Sequence, residues 1–271
     1  MSPVYDCTTE SGRAEGIAAA VEVIRDGGVV VLPTDTVYGI GADAFSPEAV
    51  ASVLAAKGRG REMPPPVLVP SIRTVDGLAT DIPSWARDLI REFWPGPLTL
   101  VFKAQSSLMW DLGETNGTVA VRMPQDDTAL ALLSEVGPMA VTSANLTGQP
   151  PATTVTDAAA QLGASVGVYL DAGRVAGNEV STIIDCTGSE PEVLRAGAVT
   201  QQQIDAVLHP VQPEPAVDGE PATEGEPGTE GEPAPEGQPL RVDEPPDLDE
   251  PMQAIELPAD PTAERTPGET R

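Results

Sequence analysis

The sequence VVVLPTDTVYGIG, residues 29–41, decides both the fold class and the position of a candidate site. Its β-branched run, Val29–Val31, predicts a buried strand. Thr34, Asp35 and Thr36 follow where that strand must end, and hydroxyl groups and free backbone amides at such an edge suit a small polar ligand. The same residues could instead form a polar turn, because short motifs also occur by chance.

A cationic segment, KGRGR at Lys57–Arg61, closes a predicted helix. Cations this close repel one another, and a polyanion such as a nucleoside triphosphate would offset the repulsion. The chain is otherwise acidic and has only two lysines, Lys57 and Lys103. The alternative is a solvated helix end, where the helix dipole favours cations.

A third polar segment, TSANLTG at Thr142–Gly148, again follows a short apolar run, Met139–Val141. The hydroxyl and amide groups of Ser143 and Asn145 can hold phosphate or ribose oxygens. A ligand-free turn stabilised by these side chains is the alternative.

Hydrophobic periodicity and capping signals predict an α/β protein with an open, twisted, mixed sheet and flanking helices. The predicted helices are 13–26, 47–57, 73–79, 84–93, 127–135, 156–162 and 200–208, and the predicted strands are 29–31, 67–69, 98–103, 118–122, 139–142, 166–170, 181–185 and 193–195. A nucleotide would not bind through a standard phosphate loop, since neither Gly-x-Gly-x-x-Gly nor a Walker sequence occurs.

Charge and composition divide the chain into a domain, residues 1–209, and a tail, residues 210–271. The net charge is −27, and the tail holds 17 acidic and 3 basic residues. Rich in Pro, Gly and Glu, the tail cannot bury enough apolar surface to fold and is predicted to be disordered. No run is long enough for a membrane span and no signal peptide is evident, so a cytoplasmic protein is expected, with Cys7 and Cys186 as free thiols.

Seven motifs, in order, resemble the YrdC/Sua5 family, the L-threonylcarbamoyladenylate synthases, over about residues 10 to 208. The matching segments are Pro33–Gly41, Lys57-x-Arg59, Trp94–Thr99, Thr118–Pro124, Ser143–Asn145, Ser181–Ile184 and Leu194–Gly197. The resemblance implies a short, single-domain member with an added acidic tail. Its open sheet would present a concave, ligand-binding face.

The resemblance also implies a reaction. L-Threonine and bicarbonate or CO₂ give a carbamate, which attacks the α-phosphate of ATP to form L-threonylcarbamoyl-AMP and pyrophosphate. Mg²⁺ would accompany ATP, and no protein metal site is expected. A separate tRNA threonylcarbamoyl transferase complex would consume the product, and weak direct tRNA binding is possible.

Site residues follow from the same resemblance. Lys57 and Arg59 would be catalytic through the triphosphate, with Thr118, Ser143, Asn145 and Arg195 completing the ATP site; Thr34, Arg122 and Ser181 would bind threonine. The residues themselves support the arginine roles, because Arg122 and Arg195 each end a short apolar strand, where an unpaired guanidinium is costly. For Arg122 the alternative is a salt bridge to Asp126 or Asp127. Asp35 could bind metal or threonine, or cap a turn.

Two departures from the family pattern bear on the threonine pocket: Val67–Val69 lacks a histidine that many relatives have, and Met63–Pro66 replaces a common Asn-Pro-Leu. Other functions also remain open, namely an RNA-binding or regulatory paralogue without synthase activity. The acidic charge argues against nucleic acid as the main partner. A hydrogenase-maturation carbamoyl-adenylate enzyme would need zinc-binding cysteines, which are missing here.

Overall fold

The computed structural model describes residues 2–175 and 179–210. In this part the strands are β1 (Val4–Asp6), β2 (Val30–Leu32), β3 (Gly39–Asp43), β4 (Val67–Leu68), β5 (Ala79–Thr80), β6 (Leu98–Ala104), β7 (Thr118–Arg122), β8 (Met139–Ser143), β9 (Val168–Asp171), β10 (Thr182–Asp185) and β11 (Glu192–Arg195). The helices are α1 (Glu10–Arg25), α2 (Pro47–Lys57), α3 (Val75–Leu78), α4 (Ser84–Phe93), α5 (Asp127–Val136), α6 (Val155–Leu162) and α7 (Gln201–Leu208). Apart from Pro210, the predicted tail lies outside the described residues.

The strands form one mixed sheet in the order β1-β9-β2-β3-β8-β4-β7-β6-β10-β11, with β5 paired to β6. The sheet contains both parallel pairs, such as β4 with β7 and β6 with β10, and antiparallel pairs, such as β3 with β8 and β6 with β7. The predicted mixed α/β sheet is therefore confirmed.

Helices cover both faces of the β1–β8 half of the sheet. Side chains alternate along a strand, so neighbouring residues of β2 point to opposite faces. Val31 packs with residues of α2 and α6, whereas Val30 and Leu32 pack with residues of α1 and α5. This half is therefore buried on both sides, as the run of apolar residues in β2 predicts.

The other half of the sheet carries helices on one face only. Leu98, Leu100 and Phe102 of β6 pack into a core with residues of α3, α4 and α7. The alternate residues, Thr99 and Val101, line a cavity on the opposite face. The concave face expected from the sequence is thus the side of β6, β7 and β10 that these helices do not cover.

Local signals explain where most helices begin and end. The Ser46 side chain accepts a hydrogen bond from the backbone amide of Ala49, and Gly58 ends α2 at a φ of 60°. Both features match the predicted N-cap and stop. Helix α1 begins at Glu10, three residues before the predicted start, because Thr9 rather than a later residue caps it by accepting from Gly12.

Strand β3 was not predicted, since its glycines read as part of a turn. The structure shows why glycine stands there: a Cβ atom on Gly39 or Gly41 would approach Val141 of β8 to 2.6 Å. Such a contact is too short for any side chain. The two glycines let β3 and β8 lie side by side at the edge of the cavity, where tertiary packing overrides the low strand propensity of glycine.

Candidate active site

A cavity of about 520 Å³ lies on the open face of the sheet. Its walls come from β3, β4, β6, β7, β8, β10 and β11 and from the two loops that precede β3 and β4. Strand alternation decides which side chains reach it, since Ala120 and Arg122 of β7 face the cavity while Val119 and Val121 face the core. The three polar segments singled out in the sequence meet in this cavity.

One end of the cavity is built around Arg122, which is only 6% exposed. Its guanidinium forms an ion pair with Asp35 and also donates to Thr36 Oγ1 and to the Gly96 carbonyl, at 3.1 and 3.0 Å. The alternative salt bridge to Asp126 or Asp127 is therefore wrong. Burial lowers the pKa of Arg122, and the charge of Asp35 opposes that shift.

Asp126 is instead the N-cap of α5 and accepts a hydrogen bond from the Ala129 amide at 2.8 Å. Burial raises the pKa of Asp126, and the nearby charge of Asp35 adds to this effect. The carboxylate that follows β7 in the sequence thus caps a helix, while the one that pairs with Arg122 comes from the loop after β2.

Hydroxyl groups surround the same end. Thr34 Oγ1 donates to the Val37 carbonyl at 2.6 Å and lies 3.1 Å from Thr36 Oγ1. Thr99 Oγ1 and Ser181 Oγ are 2.8 Å apart, across the β6–β10 pair. All four residues line the cavity. The structure therefore brings Thr34, Arg122 and Ser181 together, as the sequence predicts for a threonine pocket.

Sequence reasoning offered Thr36 only as one hydroxyl group for a small polar ligand and gave Thr99 no role. Both belong to motifs that were identified, the first to Pro33–Gly41 and the second to Trp94–Thr99, so a signal was present. What the sequence could not reveal is the pairing, because Thr36 meets Arg122 from 86 positions away and Thr99 meets Ser181 from 82.

Two more arginines, Arg59 and Arg195, line the same cavity. Arg59 Nη1 donates to Thr142 Oγ1 at 3.0 Å, and its Nε is buried without a hydrogen-bond partner among the described residues. Arg195 donates to the carbonyl and the hydroxyl of Ser181 at 2.7 and 3.0 Å. Burial lowers the pKa of both arginines, and Arg122 and Arg59 add to this for Arg195.

These two arginines carry charge that the described part of the chain does not neutralise by an ion pair. Each hydrogen-bonds only to neutral oxygens, although Glu62 lies close enough to Arg59 to oppose the lowering of its pKa. A concave site with two such guanidinium groups, and with the Ser143 hydroxyl in its wall, suits a polyanion.

Lys57 lies elsewhere than expected, because it does not line the cavity. It is the last residue of α2 and is 3% exposed. Its Nζ donates to the backbone carbonyls of Ser143 and Asn145, the latter at 2.7 Å, and its own carbonyl accepts from the Thr147 amide at 2.9 Å. Lys57 thus fixes the loop after β8. Its hydrogen bond to the Ser143 carbonyl is its contact with a residue of the cavity wall.

Asn145 and Thr118 are also placed outside the cavity lining. The Asn145 side-chain amide donates to the Leu146 and Gln149 carbonyls, each at 2.8 Å, so it holds the same loop. Thr118 begins β7 on the face shared with Ala120 and Arg122, and it precedes by two residues Ala120, which lines the cavity.

Arg61, the third cation of the KGRGR segment, points away from this site. It forms an exposed ion pair with Asp111 at 2.8 Å, with side-chain exposures of 56% and 44%. The cluster of three cations in the sequence is therefore separated in space: one is buried under a loop, one faces the cavity and one pairs at the surface.

Comparison with known proteins agrees with this geometry. A family model for Sua5/YciO/YrdC, described as telomere recombination, matches residues 22–197. A Mycobacterium leprae protein with the provisional name threonylcarbamoyl-AMP synthase is 56% identical over 208 residues, which cover 77% of this chain and 94% of the relative. The Bacillus subtilis threonylcarbamoyl-AMP synthase is 38% identical over 72% of this chain and 57% of its own length.

Solved structures give the same result. Pyrococcus abyssi Sua5 complexed with L-threonine superposes with a TM-score of 0.72 at 34% identity, covering 77% of this chain and 61% of that one. Escherichia coli YciO superposes with a TM-score of 0.68 at 25% identity, covering 75% of this chain and all of that one. The resemblance inferred from the seven motifs is confirmed, and the chain belongs to the Sua5/YciO/YrdC family.

Proposed function

We propose that this protein makes L-threonylcarbamoyl-AMP and pyrophosphate from L-threonine, bicarbonate or CO₂, and ATP. The observation that carries the proposal is the difference in charge balance among the three arginines of the cavity. Arg122 is paired with a carboxylate among hydroxyl groups, while Arg59 and Arg195 are bonded to neutral oxygens. The synthase names of the relatives support the same activity.

In this proposal the Arg122 end holds threonine. The guanidinium has five N–H groups and uses three of them within the protein, so two remain for the amino acid's carboxylate. Thr34 and Ser181 offer hydroxyl groups to the rest of the molecule. The amino group adds to CO₂ with loss of a proton, and a carbamate oxygen then attacks the α-phosphorus of ATP.

Arg59 and Arg195 hold the triphosphate, with Ser143 in the wall between the strands. Negative charge grows on the departing pyrophosphate as the bond from the α-phosphorus to the bridging oxygen breaks. Fixed cations in a partly buried site stabilise that charge. Lys57 and Asn145 contribute by fixing the loop that follows Ser143, and Thr118 lies at the margin.

The nucleotide enters as its Mg²⁺ complex. Residues 2–175 and 179–210 contain no group of three or more Asp, Glu, His or Cys side chains that could hold a metal ion. In this proposal the ion enters with the substrate, where it shields the phosphate charge.

The product would serve tRNA modification, in which a separate transferase complex moves the threonylcarbamoyl group to adenosine. We place this work in the cytoplasm. Within the described ranges, no helix reaches the length and apolar character that a bilayer crossing needs. Direct tRNA binding would be weak, because the chain is strongly acidic.

The first test is the complete reaction. Incubating the protein with ATP, Mg²⁺, L-threonine and bicarbonate should release pyrophosphate and yield threonylcarbamoyl-AMP, measured by mass spectrometry. Omission of any one substrate should reduce product to background, because the carbamate must form before it can attack ATP. ATP turnover that is indifferent to threonine would contradict the proposal. No turnover together with a tRNA mobility shift would favour the RNA-binding paralogue.

A second test concerns the proposed domain boundary. Deleting residues 210–271 should change kcat and the thermal midpoint little, because every residue assigned to the cavity lies before residue 196. If the acidic segment instead competes with ATP for Arg59 and Arg195, the deletion will lower KM for ATP at low salt, and high salt will remove the difference. Loss of folding on deletion would contradict the boundary.

A further inference from the structure

The Arg122 side chain is held by two segments that are far apart in sequence, the loop after β2 and the turn before β6. Nε donates to the Gly96 carbonyl before β6, Nη1 donates to Thr36 Oγ1, and Nη2 pairs with Asp35 Oδ1 at 2.5 Å. The side chain is 7% exposed, so water screens its charge little. Groups of the protein, rather than water, must therefore balance that charge.

Asp35 supplies the balance. Its side chain is 12% exposed, and Oδ1 also accepts from the Gln125 amide at 2.9 Å. Its Oδ2 is buried and has no hydrogen-bond partner within the described residues. The negative charge of Asp35 is thus compensated mainly by Arg122, and the two form a nearly neutral unit. Asp126, which lies within electrostatic range of Asp35, adds negative rather than positive charge here.

The other two arginines of the cavity lack such a partner. Arg59 and Arg195 form no ion pair within the described ranges, although Glu62 lies close enough to Arg59 to oppose the lowering of its pKa. Burial, and then the charges of Arg122 and Arg59, lowers the pKa of Arg195. One cavity therefore contains one guanidinium that is paired with a carboxylate and two that are not.

We propose that Asp35 determines which substrate binds at which arginines of the cavity. This inference rests on the proposed function. By neutralising Arg122, Asp35 makes the surroundings of Arg122 suitable for a zwitterionic amino acid, whose net charge is zero, and unfavourable for a polyphosphate. The triphosphate is left to Arg59 and Arg195. Asp35 is thus a specificity-determining residue that acts through Arg122.

Replacing Asp35 by asparagine tests this role, because Asn keeps the size and an acceptor oxygen but removes the charge. The measurement is the L-threonine Kd by calorimetry, with and without saturating methylenediphosphonate, an unreactive analogue of pyrophosphate. In the wild type the diphosphonate should change the threonine Kd less than twofold, since it binds at Arg59 and Arg195. In Asp35→Asn it should weaken threonine binding at least tenfold, because Arg122 now also attracts the anion.

Two further variants and the wild type itself complete the test. Asp35→Glu keeps the charge and should behave like the wild type, as should Asp111→Asn, which breaks only the exposed Arg61–Asp111 pair. Identical behaviour of Asp35→Asn and wild type would overturn the inference. A tenfold weakening of threonine binding by the diphosphonate in the wild type would also overturn it. That measurement does not depend on whether a variant folds. Absence of threonine binding to the wild type would count against the proposed function itself.

Discussion

Arg59→Ala should lower kcat/KM for ATP by about 10²–10³-fold, the cost typical of losing one donor that stabilises transition-state charge. Its stability should fall by only about 1 kcal/mol, since the side chain makes one hydrogen bond, to Thr142, and its Nε has no partner in the described structure. Steady-state kinetics with varied ATP, together with thermal unfolding, measures both effects.

Arg61→Ala is the matched control, two positions away. It removes a cation of the same KGRGR segment, but that cation pairs with Asp111 at the surface. Exposed pairs contribute little, so activity should change less than about threefold and stability by less than about 1 kcal/mol. Equal losses of activity in both variants would mean that the whole segment, and not Arg59 alone, serves the nucleotide.

Lys57→Met should reduce stability as well as activity. The substitution leaves the Ser143 and Asn145 carbonyls without a buried donor, at a cost of about 1–3 kcal/mol, and loosens the end of β8 and the loop that follows it. Activity should fall because kcat decreases and KM for ATP increases. Arg59→Ala, by contrast, should spare stability.

The difference in stability between the wild type and Lys57→Met should change with pH in a definite direction. Burial, and then the charge of Arg59, lowers the pKa of Lys57 to about 8. The unfolded chain therefore binds more protons than the folded one between about pH 8 and the ordinary lysine pKa, and wild-type stability rises with pH across this window. Urea unfolding should show the gap between wild type and Lys57→Met widening by up to about 3 kcal/mol from pH 8 to pH 10.5.

Lys103→Met provides the control, because Lys103 is the only other lysine in the chain. It pairs with Asp81 at 3.3 Å and is 53% exposed, so its removal should shift stability little and without this pH dependence. A difference in stability between wild type and Lys57→Met that stays constant over the same pH range would show that burial does not lower the pKa of Lys57.

Local chemistry made much of the fold predictable. Helix α2 has its N-cap, its N1 proline and its terminal glycine in the sequence, and α4 ends where the WPGP turn prevents continuation. Strand β3 could not be found this way. Its glycines are explained only by Val141, 100 or more positions away, whose side chain fills the space that a Cβ atom would need.

The site shows the same difference between what the local sequence predicts and what depends on distant contacts. Motifs identified Thr34, Arg59, Arg122, Ser181 and Arg195 individually, and all five line one cavity. Their partners depended on distant contacts. The alternative for Arg122, a salt bridge to a carboxylate nearby in sequence, fails because Asp126 caps a helix and Asp35 pairs with Arg122 instead. The family resemblance assigned Lys57 to the triphosphate, and its burial beneath the loop after β8 depends on tertiary packing that the sequence does not show.

Strand β10 lies beside β6, although Leu98 and its partner Thr182 are separated by most of the central sequence. As a ribosome synthesises the chain, β6 and β7 emerge long before the strand that will cover the free edge of β6. Until then Thr99 has no Ser181 to contact, and Arg195 has not been made. If these residues bind the nucleotide as proposed, a nascent chain lacks part of the site, and ATP should stabilise this protein only after its final strands have joined the sheet.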